Sequence, residues 1–334
     1  MLKALGLMPE QASSMAGEVD ALYLTLIGIT TFFSLLIGLL VLGFAVRYRR
    51  QRQKKAVQIE GNLALELLWS GIPFVIAMGI FMWGAKVYLA LAKPPDDALE
   101  IFVVGKQWMW KLQHMEGRRE INELHVPTGR PVKLTMTSED VIHSFYVPAF
   151  RVKQDVLPGR YTTLWFEATK PGSYHLFCTE YCGTEHSRMI GHVVAMEPHD
   201  YQQWLEGNAV TVASAGAATA VDAGAGGVAS MADLGKAAFE RTGCAACHAV
   251  TPDAAASKMI GPPLIGLVGT SVKLASGADV KVDEAYLRRS IVEPMGELVQ
   301  GYQPVMPTYA GRLSEEEVLQ LIAYIKSLGP AGKQ

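Results

Sequence analysis

The four cysteines of this 334-residue chain fall into two close pairs, and each pair lies beside a histidine. One pair is Cys178 and Cys182, and the other is Cys244 and Cys247. Two structural disulfides are one interpretation, but bridges at such short spacing close very small loops and constrain little chain entropy. The pattern therefore favours metal or haem chemistry at both pairs.

The first pair begins a segment that is rich in soft ligands. His186 and Met189 follow Cys178 and Cys182, so two thiols, an imidazole and a thioether lie within twelve residues. Such ligands select copper over hard cations, and zinc has little use for the thioether. Two cysteines on one loop suit two bridged metal ions, which need a second histidine; His143, at the end of a predicted strand, is the candidate. A redox dithiol is the alternative, but that class lacks the trailing histidine and methionine.

The second pair forms a C-x-x-C-H motif, in which Cys244, Cys247 and His248 follow a predicted helix. In this motif both thiols add to the vinyl groups of a haem, and the histidine ligates the iron. A five-residue pattern arises by chance in cysteine-rich proteins, but this chain has only two other cysteines. The sequence therefore predicts one covalently bound haem c.

A sixth ligand to the haem iron is expected downstream of the motif, and three methionines are candidates. Met259 lies too close to the attachment site, and Met295 ends a predicted helix. Met306 precedes Pro307 in a loop just before the last predicted helix, so it is favoured. A thioether ligand raises the reduction potential of a haem, which suits an electron donor to an oxidase.

Five histidines remain outside both groups. They lack partner ligands at a useful spacing in the sequence. We therefore expect ordinary surface or sheet positions for His114, His125, His175, His192 and His199.

Two long apolar runs precede both cysteine pairs in the sequence. Half of the residues are hydrophobic, which is high for a soluble enzyme of this length. The segments Ala21–Val46 and Leu67–Ala85 contain no charged residue, and the second run continues to Ala92 if Lys86 extends its charge to the interface. Both are long enough to cross a bilayer as helices. The sequence predicts a transmembrane hairpin in which Pro73 lies early in the second run.

Charge sets the orientation of this hairpin. Residues 47–55, between the two runs, contain six basic residues, which places this loop in the cytoplasm. Everything after about residue 93 is then periplasmic or extracellular, where haem attachment of this kind takes place. The formal net charge of −2 argues against nucleic acid as a partner.

The external part begins with a β-rich region. Short β-branched or aromatic runs alternate with Pro-Gly turns, which is typical of a sandwich or Greek-key barrel. The predicted strands are Leu99–Val104, Val132–Thr137, Thr163–Glu167 and Val193–Met196.

Composition changes sharply after this region. Residues 208–230 are mostly Ala, Gly, Ser and Val, and the segment is predicted to be a flexible tether because it cannot bury a core. The rest is helical in pattern, and Ser314 with Glu317 forms a capping box. The predicted helices are Ala232–Arg241, Asp283–Val292 and Ser314–Leu328. We expect a membrane segment over 1–95, a copper domain over 96–207, this linker over 208–230 and a haem domain over 231–334.

Cys178 to Met189, together with His143, resemble the dinuclear copper centre, CuA, of cytochrome c oxidase subunit II. The match runs from the hairpin to about residue 200 and includes Gly105–Trp110 and Asp155–Arg160. Residues 232–328 resemble class I cytochromes c, so the whole is similar to a caa-type subunit II. The fold implied is multidomain: a transmembrane α-helical hairpin, an all-β cupredoxin-like sandwich and an all-α class I cytochrome c domain.

The resemblance also assigns the strong copper ligands. It implies that Cys178 and Cys182 bridge the two coppers, and that His143 and His186 each bind one of them. A rigid sandwich would then hold the ligands in one geometry, so that little rearranges when an electron arrives.

Further roles follow from the resemblance alone. Met189 is implied as a weak ligand to one copper and the backbone carbonyl of Glu180 to the other, while the Glu180 carboxylate approaches a magnesium ion shared with the catalytic subunit. Trp108 is implied as the surface residue through which electrons reach the copper, whereas Trp110 is expected in the core. Glu66, at the start of the second span, aligns with an acid that admits protons from the cytoplasm.

The implied function is that of an electron-transfer subunit in a bacterial inner membrane. Electrons would pass from cytochrome c or a cytochrome bc complex to haem c, the copper pair and a haem of the catalytic subunit I, which reduces oxygen with proton translocation. The oxygen chemistry is not expected in this chain, because its membrane spans contain no histidine. A CuA-containing nitric oxide reductase, a nitrous oxide reductase and a copper-handling assembly factor are the alternatives.

Overall fold

The structure is a computed structural model that describes residues 8–49, 61–207, 210–214, 217–221, 229–252 and 259–329. The chain divides into two compact units. One unit is Met15–Lys93, and the other combines Met1–Ser14 with Pro94–Gln334.

The unit Met15–Lys93 consists of two long helices, α1 (Ala16–Arg47) and α2 (Leu63–Ala92). Both are long and apolar enough to cross a membrane, and the most apolar stretch of each helix is not buried within the protein. The side chain of Asn62 caps α2 by accepting a hydrogen bond from the backbone N–H of Leu65 at 3.2 Å. The two predicted spans are confirmed, whereas most of the basic loop between them lies outside the described residues.

Pro73 lies further inside its helix than the sequence suggested. Because α2 begins at Leu63, this proline is in the helix interior rather than near the first turn. A proline there leaves a backbone carbonyl one turn earlier without its helical donor. The earlier start of α2 is due to Leu63–Glu66, which continue the helix after the Asn62 cap.

Residues 99–196 form two five-stranded sheets, as expected for a β-sandwich. One sheet has the order β3-β2-β1-β5-β8 and the other β4-β10-β9-β6-β7. The four predicted strands are confirmed, each extended by one to three residues. The ten strands are β1 (Leu99–Lys106), β2 (Met109–His114), β3 (Arg119–Ile121), β4 (Glu123–Pro127), β5 (Pro131–Ser138), β6 (His143–Val147), β7 (Val152–Val156), β8 (Thr162–Glu167), β9 (Gly172–Cys178) and β10 (Ile190–Met196).

The interior of the sandwich is aromatic and aliphatic. Trp110, Phe145 and Phe150 are fully buried, and the rings of Trp110 and Phe145 pack edge to face. The chain before α1 also packs here, because Ala12 donates a backbone hydrogen bond to Ala149 at 3.0 Å. The expectation that Trp110 belongs to the core is confirmed.

A buried polar cluster lies at one side of the sandwich. The carboxylate of Glu120 contacts Nε2 of His114 at 2.7 Å, and it also accepts hydrogen bonds from Nδ1 and the backbone N–H of His125. Nδ1 of His114 lies 3.1 Å from the hydroxyl of Tyr201, and the ring of Trp204 stacks on His125. Tyr201 and Trp204 belong to helix α3 (Pro198–Leu205), so the cluster attaches this helix to the sheets.

The predicted tether contains regular structure, which corrects the expectation of a flexible segment throughout. Strands β11 (Val210–Ser214) and β12 (Ala217–Val221) pair as an antiparallel hairpin. Both strands contain valine and threonine, and β-branched residues favour extended backbone. The expectation rested on low hydrophobic content and overlooked this local preference.

The C-terminal region is a small helical domain. Its helices are α4 (Met231–Arg241), α5 (Glu284–Val292) and α6 (Glu315–Ser327), and a short hairpin joins β13 (Ser271–Lys273) to β14 (Asp279–Lys281). The three predicted helices are confirmed, and the predicted capping box is present at the start of α6. Helix α6 is buried on most sides, and Val318 and Ile322 pack in the core between α4 and α5.

The helical domain is packed against the β-sandwich through four alternating charges. Glu100 and Lys133 come from β1 and β5, and Glu284 and Lys326 come from α5 and α6. Lys133 contacts Glu100 at 2.9 Å and Glu284 at 3.2 Å, while Lys326 contacts Glu284 at 2.7 Å and also pairs with Glu100. Burial would raise the pKa of Glu284, but Lys326 and Lys133 lower it to about 2. We call these four residues the charge quartet.

An apolar patch beside the charge quartet completes this contact. Phe102 and Val104 of β1 pack on Met231, Leu319 and Ala323 of the helical domain, and all five are buried. The backbone N–H of Met231 also donates to the carbonyl of Met115 at 3.0 Å. The two domains are therefore docked on each other, although the sequence suggested only a tether between them.

Replacing Glu120 with Gln should destabilise the sandwich by about 2 kcal/mol, because the hydrogen bonds to a buried carboxylate are lost. Burial raises the pKa of Glu120, but His114 and His125 lower it to about 2. A carboxylate with a lowered pKa contributes stability above its unfolded pKa near 4.5, and this contribution is lost as the pH falls towards 2.

Thermal unfolding at pH 7 and pH 3 will measure this effect. At pH 7 the Glu120→Gln variant should have a lower unfolding temperature than the parent chain. The difference between the two unfolding temperatures should be smaller at pH 3. Exposed Glu116→Gln is the matched control and should change little. An equal difference at both pH values would contradict the assignment.

Replacing Lys326 with Met should loosen the docking of the two domains, because Glu100 and Glu284 are left facing each other with one lysine. We expect the contact to weaken by at least about 1 kcal/mol. Hydrogen–deuterium exchange should then rise in β1 and α6. Lys170→Met is the control, since Lys170 pairs with Glu10 on an exposed surface. Unchanged protection in β1 would show that the charge quartet does not hold the domains together.

Candidate metal centre and haem cavity

Three neighbouring strands bring the predicted metal ligands to one end of their sheet. His143 is the first residue of β6, and Cys178 is the last residue of β9. Strands β6 and β9 are antiparallel neighbours, so the start of one lies beside the end of the other. The loop after Cys178 returns to β10, which pairs with β9 from Ile190 onward. Sheet pairing therefore places a distant histidine beside the cysteine loop.

The two cysteines and two histidines of this end lie within contact distance. Sγ of Cys178 is 3.7 Å from Sγ of Cys182, much further than the roughly 2.05 Å of a disulfide. Nδ1 of His143 is 3.9 Å from Sγ of Cys178, and Nδ1 of His186 is 3.4 Å from Sγ of Cys182. Both thiols are free and buried. Donor atoms of His143, Cys178 and Cys182 all lie within 4.8 Å of one another.

The two weaker predicted ligands lie on either side of this group. Sδ of Met189 is 3.8 Å from Sγ of Cys182, and the backbone carbonyl oxygen of Glu180 is 3.3 Å from Sγ of Cys178. The side chain of Glu180 is exposed. All six residues predicted from the sequence are therefore brought together, with Glu180 contributing its backbone.

The thiols differ in their electrostatic surroundings. Burial would raise the pKa of Cys178, but hydrogen bonds with His143 and with backbone groups of Ser144 and Glu180 lower it. Burial and the neighbouring charge of Cys178 both raise the pKa of Cys182. The two shifts are opposite in direction, and both sulfurs must be deprotonated to bind a metal.

Asp140 is a part of this site that the sequence did not indicate. Its carboxylate lies 2.8 Å from Nε2 of His143, which leaves Nδ1 of the ring directed at Cys178. Burial lowers the pKa of His143, but its hydrogen bonds to Cys178 and Asp140 outweigh this and raise it. A carboxylate on the far nitrogen commonly orients a ligating histidine. An acid three residues before the predicted ligand was the available signal.

Trp108 adjoins the thiol pair. Its Nε1–H donates to the backbone carbonyl of Cys182 at 3.2 Å, and Nε2 of Gln107 donates to the same oxygen at 2.8 Å. The indole is partly exposed, unlike Trp110, whose buried ring packs against His143. Trp108 therefore links the protein surface to one cysteine through a single hydrogen bond.

The helical domain contains a cavity of about 350 Å³. Its lining includes Cys244, Cys247 and His248, together with Met306 from the loop before α6. Among the residues that the structure describes, Met259 does not line the cavity, and neither does Met295, whose side chain is exposed. Apolar side chains of Phe239, Leu264, Leu287, Ile291 and Leu321 supply much of the remaining wall.

The histidine of the C-x-x-C-H motif is oriented for ligation. Nδ1 of His248 donates to the backbone carbonyl of Pro262 at 2.8 Å, which leaves Nε2 as the nitrogen available to a metal. A Cβ atom at Gly261 would lie 2.6 Å from Cε1 of this ring, so only glycine fits. The loop Gly261–Leu264 therefore packs against His248. A large apolar cavity lined by a fixed imidazole and a thioether fits a haem.

Glu66 lies in the first turn of α2. Its predicted role in proton uptake stays a prediction.

Three known protein families match successive parts of the chain. The transmembrane domain of cytochrome c oxidase subunit II matches residues 2–87, and the periplasmic domain of the same subunit matches residues 119–196. The cytochrome c family matches residues 232–329. The order of the three families agrees with the order of the two long helices, the sandwich and the helical domain.

Individual relatives extend across these regions. Subunit 2 of cytochrome c oxidase from Synechocystis sp. is 33% identical over 253 residues, which is 61% of this chain and 76% of that protein. Subunit 2 from Thermostichus vulcanus is 33% identical and matches 61% of this chain and 79% of that protein. Subunit 2 from Alkalihalophilus pseudofirmus is 30% identical, covering 84% of this chain and 79% of the relative.

These relatives are subunits of oxidoreductase complexes in membranes, and two apolar helices followed by soluble domains are consistent with a subunit of a bacterial membrane. A cytochrome c domain after the periplasmic domain fits the caa-type. The chain therefore belongs to the cytochrome c oxidase subunit II family and has a cytochrome c domain in its C-terminal part.

Proposed function

We propose that this chain passes electrons from a donor through haem c and a dinuclear copper centre to the haem of a catalytic subunit, which reduces oxygen to water with proton translocation. The supporting observation is the convergence of two free thiols, two imidazoles, a thioether and a backbone carbonyl at one end of a rigid sheet. The proposed electron donor is cytochrome c or a cytochrome bc complex. The proposed partners are the catalytic subunit I and other membrane subunits.

The donor set supports the assignment of copper. Cys178 and Cys182 would bridge two ions, and His143 and His186 would each complete one of them. Soft sulfur and imidazole ligands favour copper over hard cations. When bound, the copper pair would accept and release one electron at a time. The chain's contribution is to hold the donor atoms still, through strands on both sides of the loop and through Asp140 on the far side of His143.

The cavity of the helical domain supports the assignment of haem c. Cys244 and Cys247 would hold the haem covalently, and His248 and Met306 would ligate its iron. The hydrogen bond from His248 to Pro262 fixes the imidazole in one tautomer. A thioether ligand and an apolar wall both favour ferrous iron and raise the reduction potential.

We further propose Trp108 as the residue through which electrons reach the copper pair. It is partly exposed, and its hydrogen bond to the carbonyl of Cys182 connects the indole directly to a bridging ligand. Two further proposals complete the assignment. The exposed Glu180 carboxylate would share a magnesium ion with the catalytic subunit, and Glu66 would admit protons from the cytoplasmic side.

The domain boundaries of this proposal are 1–95, 96–207, 208–230 and 231–334. A haem domain joined by a linker has a local concentration of millimolar order near the copper domain. The charge quartet and the apolar patch beside it strengthen this effect, because they favour a docked position over a freely moving one.

Replacing Cys182 with Ser tests the proposed route. In the purified oxidase complex the donor should still reduce the haem of the variant, but oxygen consumption should fall at least about a hundredfold, since one bridging sulfur is missing. Stopped-flow reduction of the haem and an oxygen electrode measure the two steps. Thr184→Ser, in the same loop, is the control.

Two results of this experiment would contradict the proposal. Normal oxygen consumption by Cys182→Ser would place the electron route elsewhere. Consumption of nitric oxide but not oxygen by the parent complex would instead assign the chain to a nitric oxide reductase.

Replacing Met306 with His should lower the reduction potential of the haem markedly, because imidazole stabilises ferric iron more than a thioether does. Redox titration of the full chain, followed at the haem absorption bands, measures this change. Met295→His is the matched control, because Met295 is exposed and does not line the cavity. An unchanged potential in the Met306 variant would show that another residue is the sixth ligand.

A further inference from the structure

A row of possible metal ligands crosses the exposed face of the sheet that bears the copper loop. His192 on β10 lies directly opposite His175 on β9 and, on its other side, directly opposite Glu123 on β4. All three side chains are exposed. Directly opposed residues on neighbouring strands point to the same side of a sheet, so two imidazoles and a carboxylate form one continuous row.

The spacing of the two rings is that of a shared metal ion. The ring centres of His175 and His192 are 5.0 Å apart, with an angle of 44° between the ring planes. Imidazole nitrogen binds zinc at about 2.0 to 2.1 Å, and two imidazoles at a tetrahedral angle then have ring centres roughly 5 Å apart. The rings thus need little movement to bind one ion together.

One of the two rings is also held by its neighbour. The ring of Phe177 stacks on His175 with 5.6 Å between centres and 27° between planes. Both imidazoles project from paired strands rather than from loops. This arrangement reduces the conformational entropy that a ligand pair loses on binding a metal.

We propose that His175 and His192 bind a divalent transition-metal ion of the zinc class, with the carboxylate of Glu123 as a third ligand. Imidazole nitrogen and carboxylate oxygen are both ordinary zinc ligands. Three protein ligands on an exposed face leave the fourth position to water. The site is separate from the thiol centre, whose two cysteines are buried.

The position of this pair suggests its effect on the copper loop. His175 lies three residues before Cys178, and His192 lies three residues after Met189. An ion held by both would cross-link the strand that enters the loop to the strand that leaves it. The cross-link would stabilise the folded state by binding it in preference to the unfolded chain.

Zinc titration of the full-length chain loaded with copper and haem tests the proposal, with calorimetry as the readout. The parent should bind one equivalent of Zn²⁺ at this site. His175→Thr and His192→Thr should each weaken that binding roughly tenfold or more, since even outer-shell partners change metal affinity by that factor. Threonine is a β-branched residue that favours strands, and unchanged copper and haem spectra show that the variants are folded.

A matched control and a measurement on the unaltered chain complete the test. His199→Thr should bind zinc as the parent does, because His199 is exposed on α3 away from the pair. In the parent, zinc should slow the modification of His175 and His192 by diethyl pyrocarbonate, but not that of His199. The proposal would be overturned if both strand variants bound zinc as tightly as the parent, or if the His199 variant lost as much affinity as they do. It would also be overturned if zinc did not protect the two histidines from modification.

Discussion

The structure depends on the approach of two buried thiols to 3.7 Å without a bond between them. The backbone maintains this approach: the N–H of Cys178 donates to the carbonyl of Met189, and the N–H of Thr179 donates to that of Ser144. The first bond joins the start of the ligand loop to its end, and the second joins the start to the neighbouring strand β6. The sandwich therefore supports the ligand loop, and the register of its strands determines which ligand atoms lie close together.

Much of this architecture was predictable because its signals are local. The two spans follow from uncharged runs, and four strands and three helices follow from short-range periodicity and from caps such as Ser314. The ligand loop from Cys178 to Met189 is contiguous, so spacing alone identified it. His143 is distant in sequence, and it was found because a second histidine was required and a strand end was the place to expect it.

Features that the sequence did not reveal depend on long-range pairing. Glu100 and Lys326 are 226 residues apart and look like ordinary surface charges until the domains are docked. Glu120 similarly has no visible partner before β3 is placed between His114 and His125. The hairpin formed by Val210–Ser214 and Ala217–Val221 was missed for the opposite reason. Its signal is local, but the Ala- and Gly-rich composition of the linker was given more weight than the weak strand preference of valine and threonine. Packing partners, unlike ligand spacing, leave no short pattern to recognise.

The charge quartet lies apart from both predicted cofactor sites. None of its members is a predicted ligand of the thiol centre or lines the haem cavity, so the ion pairs that dock the domains include no cofactor ligand. The copper loop and the haem cavity belong to separate domains, and each has its own supporting hydrogen bonds. A substitution in the charge quartet would therefore change how the two domains dock without removing a predicted ligand of either centre.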